Sequence, residues 1–189
     1  MTSTRGVFPS GMPKPCRILL VSGSLRAQST NTAVLRTAHA QPPVGIETVL
    51  YDGLAALPHF NPDDDRVPLA PAVADLRAAI RQANALLFST PEYAGALPGS
   101  FKNLLDWTIG DDQPGSIYEK PVAWINASAR GAEKAHAELR CVLGYANAGI
   151  VEAACVHVPV SWSDVDANGL IPDADSRDRI AAALRALAG

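Results

Sequence analysis

The chain has 189 residues and a net charge of −3, with 48% apolar and 19% charged residues. This length is enough for one domain with a substantial core, and the composition is that of an ordinary globular protein. The weak charge excludes the strongly basic class of nucleic-acid-binding proteins, and no apolar run approaches the roughly 20 residues of a membrane span. We therefore expect neither nucleic acid nor membrane as a partner.

The first 14 residues are rich in Pro, Gly and Ser and lack the apolar stretch of a signal peptide. We expect residues 1–14 to form a flexible arm and residues 15–189 to form a single domain. The cysteines Cys16, Cys141 and Cys155 are odd in number and contain no CxxC motif. We interpret them as buried thiols of a protein in the reducing cytoplasm.

Apolar runs bounded by turn residues alternate along the chain with apolar residues at helical spacing. The runs predict five strands, at residues 17–22, 46–51, 85–90, from 121, and 150–158. The helical spacing predicts five helices, at residues 29–40 and around residues 69–80, 101–108, 139–146 and 180–187. Such alternation is typical of an α/β fold, with a doubly wound parallel sheet covered by helices on both faces.

Ligands of doubly wound sheets bind beyond the carboxyl ends of the strands, near the point where the strand order reverses. The segments that follow the first, third and fourth predicted strands are therefore the candidate binding segments.

The first segment, "GSLRAQSTN" at residues 23–31, joins a strand to a helix and is rich in hydrogen-bond donors. Ser24, Ser29 and Asn31 can donate to phosphate oxygens at a helix N-terminus, and Arg26 can bind them through its guanidinium. Walker, GxGxxG and GxSxG motifs are all absent. The pattern fits a phosphate site and, equally, a hydroxyl-capped helix with an exposed arginine.

The second segment, "TPEYAGALPGSFKNLLDW" at residues 90–107, mixes Pro, Gly and one aromatic residue before a helix. Its backbone can present donors and acceptors to a flat ring that Tyr93 covers or flanks. We interpret Glu92 as a structural hydrogen-bonding residue, since no paired acid or histidine lies nearby in the sequence.

The third segment, "NASARGAEKAH" at residues 126–136, surrounds another predicted helix start with Asn126, Ser128, Arg130 and Gly131. Ser128 alone would be interpreted as a helix cap.

Together with "ALPHFNPDDD" at residues 56–65, the first two segments resemble the NADPH-dependent FMN reductase family of quinone, chromate and azo-dye reductases. The resemblance runs from about residue 17 to at least residue 158. It implies a flavodoxin-like fold with a five-stranded parallel sheet and bound FMN.

The resemblance also implies the site. It assigns the FMN phosphate to Ser24, Arg26, Ser29 and Asn31, the isoalloxazine ring to Pro91, Glu92, Tyr93, Ala94 and Gly95, and the other edge of the ring to Ser128 through Gly131. The family often has Asn where this chain has Ala94, and Ser where it has Ala96.

By resemblance, the chain passes a hydride from NADPH (or NADH) to N5 of FMN. Electrons then pass to a small-molecule acceptor such as a quinone, free flavin, azo compound or metal oxyanion. No catalytic side chain is required, because the chemistry takes place on the cofactor.

Other functions stay open on the residues alone. A flavodoxin-like electron carrier or a flavin-binding regulatory module would share the fold and the phosphate segment. A serine hydrolase and a metal site are disfavoured, because the four histidines His39, His59, His136 and His157 show neither triad context nor metal-ligand spacing.

We also expect a homodimer or homotetramer. The helix after Pro98 carries Phe101, Leu104, Leu105, Trp107 and Ile109, an apolar set wider than the single stripe that a doubly wound sheet buries. Either a second subunit covers the excess, or it packs under residues 110–120.

Overall fold

The computed structural model describes residues 14–189, so the arm expected at residues 1–14 lies, except for Lys14, outside the described residues. The strands are β1 (Cys16–Ser22), β2 (Ile46–Tyr51), β3 (Ala85–Ser89), β4 (Pro121–Asn126), β5 (Gly149–Ile150) and β6 (Val156–His157). The helices are α1 (Thr30–Ala40), α2 (Pro71–Gln82), α3 (Gly99–Ile109), α4 (Glu133–Tyr145) and α5 (Ala174–Ala188).

All strand pairs of the sheet are parallel, and the strand order is β2-β1-β3-β4-β5, with β6 also pairing with β4. The register places Leu20 of β1 between Leu50 of β2 and Leu87 of β3. The chain passes from β1 to β2 in one direction and then crosses back over β1 to β3, so the switch point lies between β1 and β3. The predicted flavodoxin-like, doubly wound architecture is confirmed.

Alternation along the strands divides the core between the two faces of the sheet. In β1, Ile18 and Leu20 pack beneath α1 and α5, whereas Leu19 and Val21 pack beneath α2, α3 and α4. The helices therefore cover both faces, and the sheet edge at the carboxyl ends of the strands is left to loops.

The prediction of one continuous fifth strand at residues 150–158 is wrong. A short 3-10 turn, Glu152–Ala154, separates β5 from β6, and both short strands pair with β4. This position is at the edge of the sheet, so the break interrupts pairing with β4 alone. Two consecutive alanines in the turn also have low strand propensity.

The apolar face of α3 is buried within the protomer. Trp107 is 1% exposed, its Nε1 donates to the Pro58 carbonyl at 2.9 Å, and its ring packs edge-on against Phe60 with centroids 5.0 Å apart. The loop between β2 and α2 supplies most of this cover, and Ile117 adds to it from the segment after α3. The expectation that a second subunit covers the excess apolar surface of α3 is therefore wrong, because a loop remote in sequence already covers that surface.

The cysteines are free thiols, but the prediction that they are buried is wrong. Cys141 is exposed on α4, and Cys16 and Cys155 are only partly buried. Burial raises the pKa of both Cys16 and Cys155 above the ordinary thiol value.

Candidate active site

A cleft of about 490 Å³ opens at the carboxyl edge of the sheet. It brings together most of the residues predicted from the three segments, namely Ser24, Arg26, Ser29, Asn31, Pro91, Glu92, Tyr93 and Ser128. Ala94, Gly95 and Gly131 do not line this cleft; they lie in the turns that present their neighbours.

The first segment forms the start of α1. Ser29 is the N-cap, and its hydroxyl accepts a hydrogen bond from the Thr32 amide at 3.4 Å. The Ser24 hydroxyl accepts from the Arg26 amide at 3.3 Å, which closes the loop on itself. The Asn31 Oδ1 accepts from the buried Ser89 hydroxyl at 2.9 Å, so the amide group of Asn31 is held at the end of β3.

This helix start has the electrostatics of an anion site. The first turn of α1 contains no acidic residue, and among residues 14–189 no carboxylate pairs with the exposed Arg26 guanidinium. The first amides of α1 have no partner inside the helix, and the helix dipole adds partial positive charge to them. A phosphate placed here would meet amide, hydroxyl and guanidinium donors together.

The second segment is a tight turn that supports Tyr93. The backbones of Tyr93 and Ala96 exchange hydrogen bonds of 3.0 and 3.1 Å, and the two residues between them, Ala94 and Gly95, have φ angles of 52° and 75°. Tyr93 is 45% exposed at the cleft. Ala94 and Gly95 therefore act through backbone shape, and a left-handed alanine is an unfavoured residue at such a position.

Glu92 has the structural role predicted for it. Its Oε2 accepts hydrogen bonds from the Lys134 and Ala135 amides at 3.0 and 3.1 Å, so the carboxylate caps the start of α4. Glu92 therefore ties the second segment to the start of α4.

The third segment is a turn held by its own side chains. The Asn126 side-chain amide donates to the Gly131 carbonyl, and Asn126 Oδ1 accepts from the Ser128 amide at 3.0 Å. The Ser128 hydroxyl accepts from the Arg130 amide at 3.1 Å. His157 Nε2 donates to the Ser128 carbonyl at 2.7 Å, which fastens the turn to β6.

A family model described as NADPH-dependent FMN reductase matches residues 16–163. The chain belongs to this family. It is 35% identical over 179 residues to an NAD(P)H-dependent FMN reductase of Pseudomonas aeruginosa, an alignment that covers 93% of this chain and 95% of that protein. It is 31% identical to a 2-hydroxy-1,4-benzoquinone reductase of a Burkholderia species, over 85% of this chain and 88% of the relative.

Solved structures agree with this family membership. FerB of Paracoccus denitrificans, a flavoenzyme NAD(P)H:(acceptor) oxidoreductase, superposes with a TM-score of 0.72 at 26% identity, covering 91% of this chain and 94% of FerB.

This FMN reductase also has cleft residues that the sequence analysis missed. Val160 and Trp162 line the cleft from the segment after β6, and Gln28 and Glu133 line it from the starts of α1 and α4. For Val160 and Trp162 the available signal was topological, because the last strand ends at the same edge of the sheet as the first, third and fourth strands. Gln28 and Glu133 lie inside the first and third segments, where no side-chain pattern singled them out.

Two further findings concern the described part of the chain. Among residues 14–189, no three His, Cys, Asp or Glu side chains come together as a potential metal site. In the same part of the chain, no helix is both long enough and apolar enough to span a bilayer.

Proposed function

We propose that this protein is an FMN-dependent oxidoreductase that takes a hydride from NAD(P)H and reduces a quinone or a related small acceptor. One observation carries the proposal: an open anion site at the start of α1 shares a cleft with the half-exposed Tyr93 and with the third segment. When bound, FMN supplies the redox chemistry, and the chain provides binding, orientation and charge.

The phosphate end of the cofactor is assigned to the first segment. Arg26 supplies the charged contact, the hydroxyls of Ser24 and Ser29 supply donors, and the side-chain amide of Asn31 faces the same space. The buried Ser89 hydroxyl holds the oxygen of Asn31 and thereby orients the amide nitrogen.

The ring end is assigned to the second and third segments. Pro91, Glu92 and Tyr93 form one wall, with Ala94 and Gly95 supporting Tyr93 from the turn behind it. Ser128 and Gly131 belong to the opposite turn, whose shape Asn126 fixes. Glu92 contributes by joining the two walls, since it caps the helix that follows the third segment.

Titration with FMN and riboflavin tests the phosphate assignment. The loss of one charge-assisted contact costs about 1.5–3 kcal/mol, so Arg26→Ala should weaken FMN binding roughly ten- to a hundredfold. Riboflavin, which lacks the phosphate, should bind poorly to the wild type and be almost insensitive to the substitution. Equal losses for the two flavins would overturn the assignment.

Initial-rate kinetics test the reaction. With FMN bound, NADPH and a quinone should give parallel double-reciprocal lines, because both would use the same open face of the flavin in turn. Convergent lines would overturn the shared-face order. A protein that binds FMN without oxidising NADPH would instead be an electron carrier or a regulatory module.

We further propose a cytoplasmic homodimer or homotetramer. Resemblance to the family supports the assembly, and the free thiols support a reducing compartment. Sedimentation at low micromolar concentration tests the assembly, and a clean monomer of 19.8 kDa would refute it.

A further inference from the structure

Trp162 is an aromatic side chain left partly in water at the rim of the cleft. It is 42% exposed and lies in the 3-10 turn Trp162–Asp164, after β6. The turn is rigidly built, because the Ser161 amide donates to Asp164 Oδ2 at 2.8 Å and the Asp164 amide donates to the Ser161 carbonyl at 3.0 Å. Because these hydrogen bonds already order the backbone of the turn, stacking of a planar ligand on the indole should cost little further backbone entropy.

The segment that leads to Trp162 is anchored in the core. Val160, two residues before Trp162, is buried beneath α1 and α5, and its amide donates to the Ala127 carbonyl at 3.1 Å. Tyr93 belongs to the segment that Glu92 joins to α4, on the other face of the sheet. Trp162 therefore follows a segment anchored on the α1 and α5 face of the sheet, whereas Tyr93 belongs to a segment joined to α4.

The cleft contains a second arginine besides Arg26. Arg130 lines the same cleft, and within residues 14–189 its guanidinium forms no ion pair. FMN carries one phosphate, which Arg26 already accounts for. The cleft thus offers a stacking surface and a guanidinium beyond what FMN requires.

We propose that Trp162 is the platform for an adenine ring, and that Trp162 and Arg130 form a subsite for an adenosine group and its attached phosphate. The inference rests on the proposed function, in which the adenosine can come from the nicotinamide dinucleotide or from FAD bound in place of FMN. A purine stacks on an indole through its whole face, and its phosphates are anions that a guanidinium binds through paired hydrogen bonds.

Calorimetric titration of the FMN-loaded protein tests the subsite without turnover. NADP⁺ carries the adenosine group, whereas nicotinamide mononucleotide lacks it. Trp162→Ala should weaken NADP⁺ about 5- to 100-fold and change nicotinamide mononucleotide less than about twofold, and Trp162→Phe should restore most of the loss. Tyr145→Ala removes another exposed aromatic, 81% exposed in the last turn of α4, and should leave both ligands unchanged.

Parallel titrations of the apoprotein with FAD and FMN separate the two sources of adenosine. A loss in Trp162→Ala that is confined to FAD, with NADP⁺ unchanged, would retain the subsite and assign it to the cofactor. Equal losses for NADP⁺ and nicotinamide mononucleotide, or unchanged binding of both NADP⁺ and FAD, would overturn it. A wild type that binds FMN and NADP⁺ but oxidises no NADPH would contradict the proposed function and leave the subsite standing.

Discussion

Two helices begin at the same cleft, and they satisfy their N-termini in opposite ways. α1 is capped by its own Ser29 and has no acidic residue in its first turn. The N-cap residue of α4 is Ala132, which has a left-handed φ of 55° and no capping side chain. The Glu92 carboxylate of the second segment accepts hydrogen bonds from two amides in the first turn of α4 instead. Glu133 adds a second acid to the first turn of α4.

The difference explains which helix can receive an anion. Both helix dipoles direct partial positive charge at the cleft. At α4 that charge is already compensated by carboxylates, whereas at α1 it is left open beside Arg26. Of the two helix N-termini at the cleft, one is thus open to an anion and the other is already compensated, and we propose that this difference orients FMN with its phosphate at α1.

A carboxylate introduced at the start of α1, as at the start of α4, should have the largest effect on FMN binding. Aspartate is as good an N-cap as serine, so Ser29→Asp should keep the helix and place a carboxylate at the phosphate position. Like charges in contact cost several kcal/mol, so FMN binding should fall by at least about a hundredfold. Fluorescence titration measures the loss.

Ser29→Asn is the matched control for this variant, because asparagine has the shape of aspartate, carries no charge and is also a good N-cap residue. It should retain FMN binding within a small factor. Unimpaired FMN binding by Ser29→Asp would show that the phosphate does not lie at α1.

Removing the remote cap should destabilise α4. Glu92→Ala leaves the Lys134 and Ala135 amides without their carboxylate, and loss of an N-terminal cap costs about 0.5–2 kcal/mol. Urea denaturation should show a drop of this size in the free energy of unfolding. Glu92→Gln keeps an oxygen acceptor and should lose less, and a Glu92→Ala variant as stable as the wild type would remove Glu92 from this role.

The start of α4 should also respond to pH through His136. This residue is buried, its Nδ1 lies 2.8 Å from the Ala132 carbonyl, and its Nε2 has no hydrogen-bond partner. Burial lowers the pKa of His136 below its usual value of 6.5, and the nearby His157 lowers it further. The Ala132 carbonyl and the charges of Glu92 and Glu133 raise it in part.

Because the folded-state pKa lies below that of the unfolded chain, the unfolded chain takes up the proton first as the pH falls. The contribution of His136 to the free energy of unfolding should be complete above about pH 6.5 and decrease as the pH drops towards the lowered pKa. His136→Gln should flatten the profile measured by urea denaturation between pH 8 and pH 5. An unchanged slope in the variant would assign the pH dependence to other groups.

The smallest effect should come from the turn that carries Glu92 and Tyr93. Ala94 has a positive φ in a two-residue turn whose second central residue is Gly95, and Asn-Gly is the favoured pair for such a turn. Ala94→Asn should stabilise the protein by up to about 1 kcal/mol in thermal or urea unfolding. Gly95→Ala is the opposing control and should destabilise by a similar amount, and a loss of stability in Ala94→Asn would contradict the turn assignment.

Short-range patterns in the sequence were enough for the elements and for one side of the site. The apolar runs and helical spacing predicted the sheet and its helices. A hydroxyl cap at the start of α1 was one of two interpretations of the first segment, and the capping hydroxyl of Ser29 lies only three residues from its partner amide. The phosphate segment was recognisable for the same reason, since its donors are all neighbours in the chain. These features depend on local geometry, which residue type and spacing determine directly.

Long-range packing decided the rest. Glu92 caps a helix that begins more than 40 residues later, Trp107 is covered by the loop at Pro58, and the buried Arg77 pairs at 2.8 Å with Asp65. The break in the edge strand and the place of Trp162 at the cleft are of the same kind. No spacing rule links such partners, because their distances are fixed only when the two faces of the sheet are packed. The sequence by itself therefore determined the flavodoxin-like fold and a candidate phosphate site, and the tertiary structure alone decided which helix start stays open to an anion.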